Sequence, residues 1–278
     1  MVAERIRVPQ FGTRSRFAYL KQRAADLYEF RYLVQYLASS GLKVERVSFA
    51  FGFVWWLLDP ILMIAMWTLL MVVIFGRVSK GYPFPLFLMS TMLSWQFMTR
   101  AVRNSVNFTH AKELQMRPIA FPRAVFPLAN TLAESVKLCF AILLFPIAAL
   151  LFGQSLSPMQ LLIIPLLPIL IAITVGIAWF LAAFNFVFRD TARLIDILFR
   201  FWVFLSPVIY TLHQVPAKLR PVFLLNPMSL ILESERDVLL MHTIHPTLVA
   251  GALVTAVVTL TIGFVYFHRQ EPRFARLN

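Results

Sequence analysis

Glu134 and Lys137 lie three residues apart inside one long apolar run. On a helix that spacing puts them on one face, where they either neutralise each other or offer a charge to a proton or a substrate. An ionisable group in a membrane span costs on the order of 2.5–3.5 kcal/mol, so both are candidates for a role. Asp196 and Arg200 stand at i,i+4 and can offset part of the same cost. Asp59 borders an apolar run and reads as a solvated terminus. Metal chemistry finds little here. His110, His213, His242, His245 and His268 are scattered without HExxH spacing, and the closest two lack a third ligand nearby. Cys139 is the single cysteine, which excludes a disulfide framework, and its apolar setting predicts a packed, inert thiol. No phosphate loop of the form GxxxxGK followed by Ser or Thr occurs, so ATP-driven work needs an ATPase on another polypeptide.

The elements that must position these groups are apolar blocks. The 278 residues are 59% hydrophobic and 14% charged, with mean hydropathy +0.74. A soluble domain is about 45–50% apolar and about 25% charged. The blocks exceed what a soluble core needs and match the roughly 20 apolar residues of a membrane span. The net charge of +13 does not point to nucleic acid, because the cations sit between the blocks and form no basic stripe. We read an all-α polytopic membrane protein with six spans near 50–75, 85–107, 124–152, 158–188, 192–212 and 247–267. Pro146, Pro165 and Pro168 predict kinks in the third and fourth.

Basic residues set the orientation. Twenty of them fall in the N-terminal arm, after spans 2 and 4, and in the C-terminal tail. Five fall on the other side: Arg77, Lys80, Lys218, Arg220 and Arg236. By the positive-inside rule both termini are cytosolic. The chain divides into a cytosolic arm (1–48), a six-span domain (49–267) and a cytosolic tail (268–278). In the arm, Leu27, Phe30, Val34 and Leu37 recur at helical spacing. This amphipathic interface helix either lies with its apolar face in lipid or packs against the bundle. The segment 213–246 lies outside, and its apolar run 222–232, broken at Asn226-Pro227, is either a re-entrant dip or a short surface helix.

The middle of the chain carries a stiff cationic corner, "RPIAFPRAVFPL" (117–128), in which Pro118, Pro122 and Pro127 oppose one continuous helix. Its "FPRAVFPL" resembles the FPR-x-x-x-P signature of ABC-2 type permeases that export polysaccharides. The likeness continues in order through "DPILMIAMWTLLMVVIFG" (59–76), "YPFPLFLMSTMLSW" (82–95), "FRD" (188–190), "SPVIY" (206–210) and "LNP" (225–227). Ser90, Pro118 and Ala124 depart from the family's usual pattern.

The resemblance implies a homodimer in the bacterial inner membrane, each copy docked on an ABC nucleotide-binding subunit that holds the ATP and Mg. This chain would then be no enzyme. Its implied cargo is a lipid-linked polysaccharide, such as O-antigen, capsule, teichoic acid or galactan, on an undecaprenyl-type pyrophosphate carrier. Lys112, Glu113, Arg117, Pro122 and Arg123 would couple the permease to the ATPase, with Pro122 as the joint. Arg31 would meet the anionic headgroup, since guanidinium engages phosphate bidentately. Phe51, Trp55, Trp56, Phe199, Trp202 and Tyr210 would line a path for sugar rings, unless they serve as interfacial or packing aromatics. An ABC-2 permease for a drug or small lipid, or a secondary transporter, is the alternative.

Overall fold

A computed structural model describes residues 16–48, 54–76, 81–111, 122–188 and 190–274, and among these described residues the apolar runs, punctuated by proline and glycine, fold into eleven α-helices. No strand occurs among the described residues. Two amphipathic helices come first, α1 (Arg16–Glu29) and α2 (Arg31–Ser48). α3 (Trp55–Thr68) continues as a π-helical stretch, Leu69–Ile74. Gly76 then takes φ +61°, a left-handed conformation that costs glycine nothing. α4 (Phe84–Ala111) follows. α5 (Val125–Ile142) and α6 (Leu144–Leu151) are one rod interrupted at Leu143. The interruption has a cause: Pro146 has no N–H to offer the carbonyl of Ile142.

A 3₁₀ turn, Pro158–Leu162, opens α7 (Ile163–Val187), with the Ser157 hydroxyl accepting from the Met159 amide at 3.3 Å. Four shorter pieces follow: α8 (Thr191–Trp202), a 3₁₀ turn (Leu212–Gln214), α9 (Arg220–Leu224) and α10 (Ser229–Arg236). α10 runs into a second π-helical stretch, Asp237–Met241. α11 (Pro246–Phe274) completes the bundle with proline in its first turn, where the missing amide goes unneeded.

Four stretches are long and apolar enough to cross a membrane: Trp55–Ile74, Val125–Leu151, Pro158–Val187 and Pro246–Glu271. They correspond to the first, third, fourth and sixth expected spans. α4 has the length of the second, 28 residues or about 42 Å. It is the central helix, packed against α3, α5, α7, α8 and α10, and it buries Ser90, Thr91, Ser94 and Gln96. α8 departs from expectation. Expected over 192–212, it ends at Trp202 after 12 residues, about 18 Å, which is too short for a hydrocarbon core of about 30 Å. Pro207 cannot donate to the Val203 carbonyl, and the chain proceeds through turns to residue 210.

The interface helix takes the second of its two possible settings. Val34 is buried on Val125 and Ala129, with Leu27, Phe30, Leu33 and Leu37 packed around them. Tyr28, Tyr32 and Tyr36 remain exposed. α7 and α11 approach until their backbones touch. A Cβ on Gly263 would lie 2.1 Å from the Gly176 carbonyl oxygen, and one on Gly176 would lie 2.4 Å from the Thr259 carbonyl carbon. Small residues permit such contacts between membrane helices, where lipid supplies no hydrophobic drive to associate.

Candidate functional site

A chain of charges alternating in sign crosses the bundle at the middle of α5. Lys137 Nζ lies 2.7 Å from Glu134 Oε1, as their spacing predicts, and both are buried. The pair is not isolated. Lys137 also bridges to Glu45 of α2, and Glu134 accepts from Asn104 Nδ2 at 3.0 Å. Arg100 Nε sits 3.4 Å from Glu134, while its Nη1 donates to Asp59 Oδ2 at 2.9 Å. Helices α2, α3, α4 and α5 are thereby tied through five charges. Asp59 is therefore an ion-pair partner, not merely a solvated terminus. Asp196 differs too: it accepts from Arg103 Nε of α4 at 2.6 Å, in place of the local pairing expected with Arg200.

The expected path aromatics fall in three places. Trp55 is exposed at the start of α3, and Trp56 beside it lies 6.4 Å from Phe140 and 5.7 Å from the Lys137 ammonium. Phe199 is buried and stacks on Trp202 at 5.8 Å, and Trp95 meets Trp202 edge-on at 5.8 Å. Tyr210 donates to the Phe204 carbonyl at 2.6 Å and meets Phe223 of α9 edge-on. Phe51 lies outside the described residues.

Arg31 is exposed, with the Tyr28 and Tyr32 rings each 4.6 Å from its guanidinium. It stands at a crevice of about 420 Å³ walled by Leu27, Val34, Leu128, Leu132, Ile171 and Val175. At the corner, the Pro122 carbonyl accepts from the Val125 amide at 3.1 Å and that of Arg123 from Phe126 at 3.2 Å, so this turn launches α5. Trp179 Nε1 donates to the Ala124 carbonyl at 3.0 Å and ties the turn to α7. Lys112, Glu113 and Arg117 lie outside the described residues. Cys139 is exposed rather than packed.

Sequence reasoning missed the run Glu233–Asp237. Its charged residues are all buried, and Arg236 is fully so. The Arg236 guanidinium pairs with Glu233, donates to the Pro207 and Val208 carbonyls, and lies 4.4 Å from the Phe87 ring centre. Thr91 also donates to the Val208 carbonyl, at 3.1 Å. These acceptors sit where α8 has already given way to turns, so a cation of α10 takes up carbonyls that a continuous helix would have used. Glu235, on the short α10 outside the four spanning stretches, is fully buried. Ser94 lies against its carboxyl, but neither oxygen completes a well-formed hydrogen bond. Burial pushes this carboxyl up to about 8, with Ser94 and Arg236 pulling the other way. The signal available was a charged run next to an apolar one, facing a proline that ends a helix.

Long apolar helices around a polar-cored central helix define a multi-pass membrane protein. The chain belongs to the ABC-2 type transporter family, whose pattern matches residues 35–240. It is similar to the O-antigen export system permease protein RfbA of Klebsiella pneumoniae, at 23% identity over 88% of this chain and 94% of that one. It is also similar to the protein of the same name from Myxococcus xanthus, at 26% identity over 88% of this chain and 95% of that one. The match covers α3 to α10, including the corner and the break after α8.

Proposed function

We propose that this chain is the permease subunit of an ATP-driven exporter that carries a lipid-linked polysaccharide, such as O-antigen, from the cytosol across the bacterial inner membrane. One observation carries the reading: relatives named as O-antigen export permeases align along 94–95% of their own length, not over an isolated motif. Six crossings with cytosolic termini suit the distribution of basic residues, with α8 and the turns after it serving as the fifth. Two copies would form the pathway, and two separate nucleotide-binding subunits would hold ATP and Mg and do the hydrolysis.

Lys112, Glu113, Arg117 and Arg123 would seat on that partner, and Pro122 would pass its movement into α5. The Trp179 bond to Ala124 supports a turn rigid enough for this. Arg31 would meet the phosphates of the carrier lipid. The rings of Trp55, Trp56, Phe199, Trp202 and Tyr210, with Phe51, would offer flat apolar faces to sugar C–H groups without demanding one hydroxyl pattern. The test is assembly and hydrolysis. Purified alone, the chain should hydrolyse no ATP, and it should copurify two-to-two with an ABC ATPase; hydrolysis by the chain alone would contradict the reading.

A further inference from the structure

The crevice beside Arg31 is apolar inside and cationic at its rim. Leu128 and Leu132 lie one turn apart on α5, Ile171 and Val175 one turn apart on α7, and all four wall it. No exposed described residue of α5 or α7 is charged, so these two helices suit contact with hydrocarbon. At about 420 Å³ the crevice falls within the roughly 300–1,000 Å³ of small-molecule sites. Arg31 and Gln35, one turn apart on α2, stand at its edge with Tyr28. Arg23 of α1 pairs with Asp26 and Glu271. Arg31 pairs with no carboxylate among the described residues. Its guanidinium has only the Tyr28 and Tyr32 rings and long contacts to the Tyr28 carbonyl, at 3.4 Å, and the Tyr32 hydroxyl, at 3.3 Å.

We propose that this crevice is a binding site for an anionic phospholipid, which lays one acyl chain between α5 and α7 and sets its phosphate on Arg31. The inference goes beyond the export reading and needs no cargo. Guanidinium engages phosphate oxygens bidentately, and basic pockets between membrane helices hold anionic headgroups. The Gln35 amide supplies a further donor at the same edge. A free phosphate would satisfy Arg31 and leave the apolar walls against water, whereas an acyl chain covers them. An undecaprenyl tail is several times bulkier than one acyl chain and does not match the crevice. A carrier that engages Arg31 therefore displaces the phospholipid's phosphate without lodging its tail here. The bound lipid would tie the interface helix α2 to α5 and α7, adding to the contacts that Val34 makes.

The experiment uses the full chain assembled with its ATPase, stripped of lipid in detergent and titrated with phosphatidylglycerol. Native mass spectrometry counts the lipid held by each permease copy. Phosphatidylglycerol should bind saturably, and phosphatidylcholine with the same chains about tenfold more weakly. Arg31→Gln should lower the affinity for phosphatidylglycerol about tenfold, and Arg31→Lys should lose less. Leu132→Trp fills the crevice and should abolish binding, whereas Ile164→Trp, exposed on α7 outside it, should not. Arg31 and Leu132 are both exposed, and two independent variants cover the case in which one fails to fold. No saturable binding, or binding unchanged in both Arg31→Gln and Leu132→Trp, would overturn the site. Equal affinity for the two phospholipids would overturn the anionic headgroup. Displacement by inorganic phosphate as effective as by phosphatidylglycerol would overturn the acyl-chain contact. Undecaprenyl phosphate binding more tightly than phosphatidylglycerol would give the crevice to the carrier and overturn the phospholipid. None of these results depends on glycan transport, so the export reading stands or falls separately.

Discussion

Asn226 Nδ2 donates to Ser206 Oγ at 2.7 Å, joining the loop before α10 to the turn that ends α8. The same side chain donates to the Leu205 carbonyl at 2.9 Å and accepts from Trp202 Nε1 and the Met228 amide. Four bonds from one amide fix both the break and the Trp202 ring. Asn226→Ala should lower the melting temperature in detergent, at about 1–3 kcal/mol for each buried group left unpaired. Asn226→Asp keeps the acceptor bonds and loses the donors, so it should fall between the two. An unchanged melting temperature in Asn226→Ala would remove this residue from the account of the break.

Lys137 is the shared cation of Glu134 and Glu45. Removing one member of a buried ion pair costs about 3–5 kcal/mol, because the remaining charge stays buried. Lys137→Met should therefore be strongly destabilising, and adding Glu134→Gln should recover part of the loss. Thermal unfolding of the two single variants and the double variant measures the coupling. Additive losses would show that the two side chains act independently.

At Gly263 the prediction is steric. A methyl group there would sit 2.1 Å from the Gly176 carbonyl oxygen, far inside contact distance, so α7 and α11 must separate. Gly263→Ala should reduce the yield of folded protein, whereas Gly41→Ala, with open space at its Cβ, should not. Equal yields from both would contradict the close crossing.

Glu235 supplies a pH dependence with a defined sign. Its folded carboxyl titrates near 8 against an ordinary value of 4.5. Between these values the unfolded state has released a proton that the folded state keeps, so stability falls as pH rises through the window and levels off above it. Glu235→Gln imitates the protonated form. Relative to the unaltered chain, the variant should gain stability progressively from pH 5 to pH 8, as followed by melting temperature. A constant difference across that range would show that burial does not hold the proton.

Local rules read parts of this protein well. Pro146 and Pro122 act where proline chemistry requires, Glu134 and Lys137 meet at their helical spacing, and the apolar repeat at Leu27, Phe30, Val34 and Leu37 finds one packed face. The misreadings share a cause. Asp196 has a partner four residues away and a better one 93 residues away, and periodicity sees only the first. Arg236 looks solvated until the chain brings the Pro207 and Val208 carbonyls to it. Pro207 was a legible stop signal within 192–212, but the apolar run around it suggested a span, and backbone hydrogen bonding decided the outcome.

The most direct measurement is transport in proteoliposomes that contain this chain and an ABC ATPase, with undecaprenyl pyrophosphate-linked O-antigen on the ATPase side. Glycan should reach the opposite side only when ATP, the ATPase and this chain are all present, and omitting any one should abolish transfer. Transfer that proceeds without ATP or without the ATPase, or a complex that hydrolyses ATP without moving the glycan, would contradict its role as an exporter's permease.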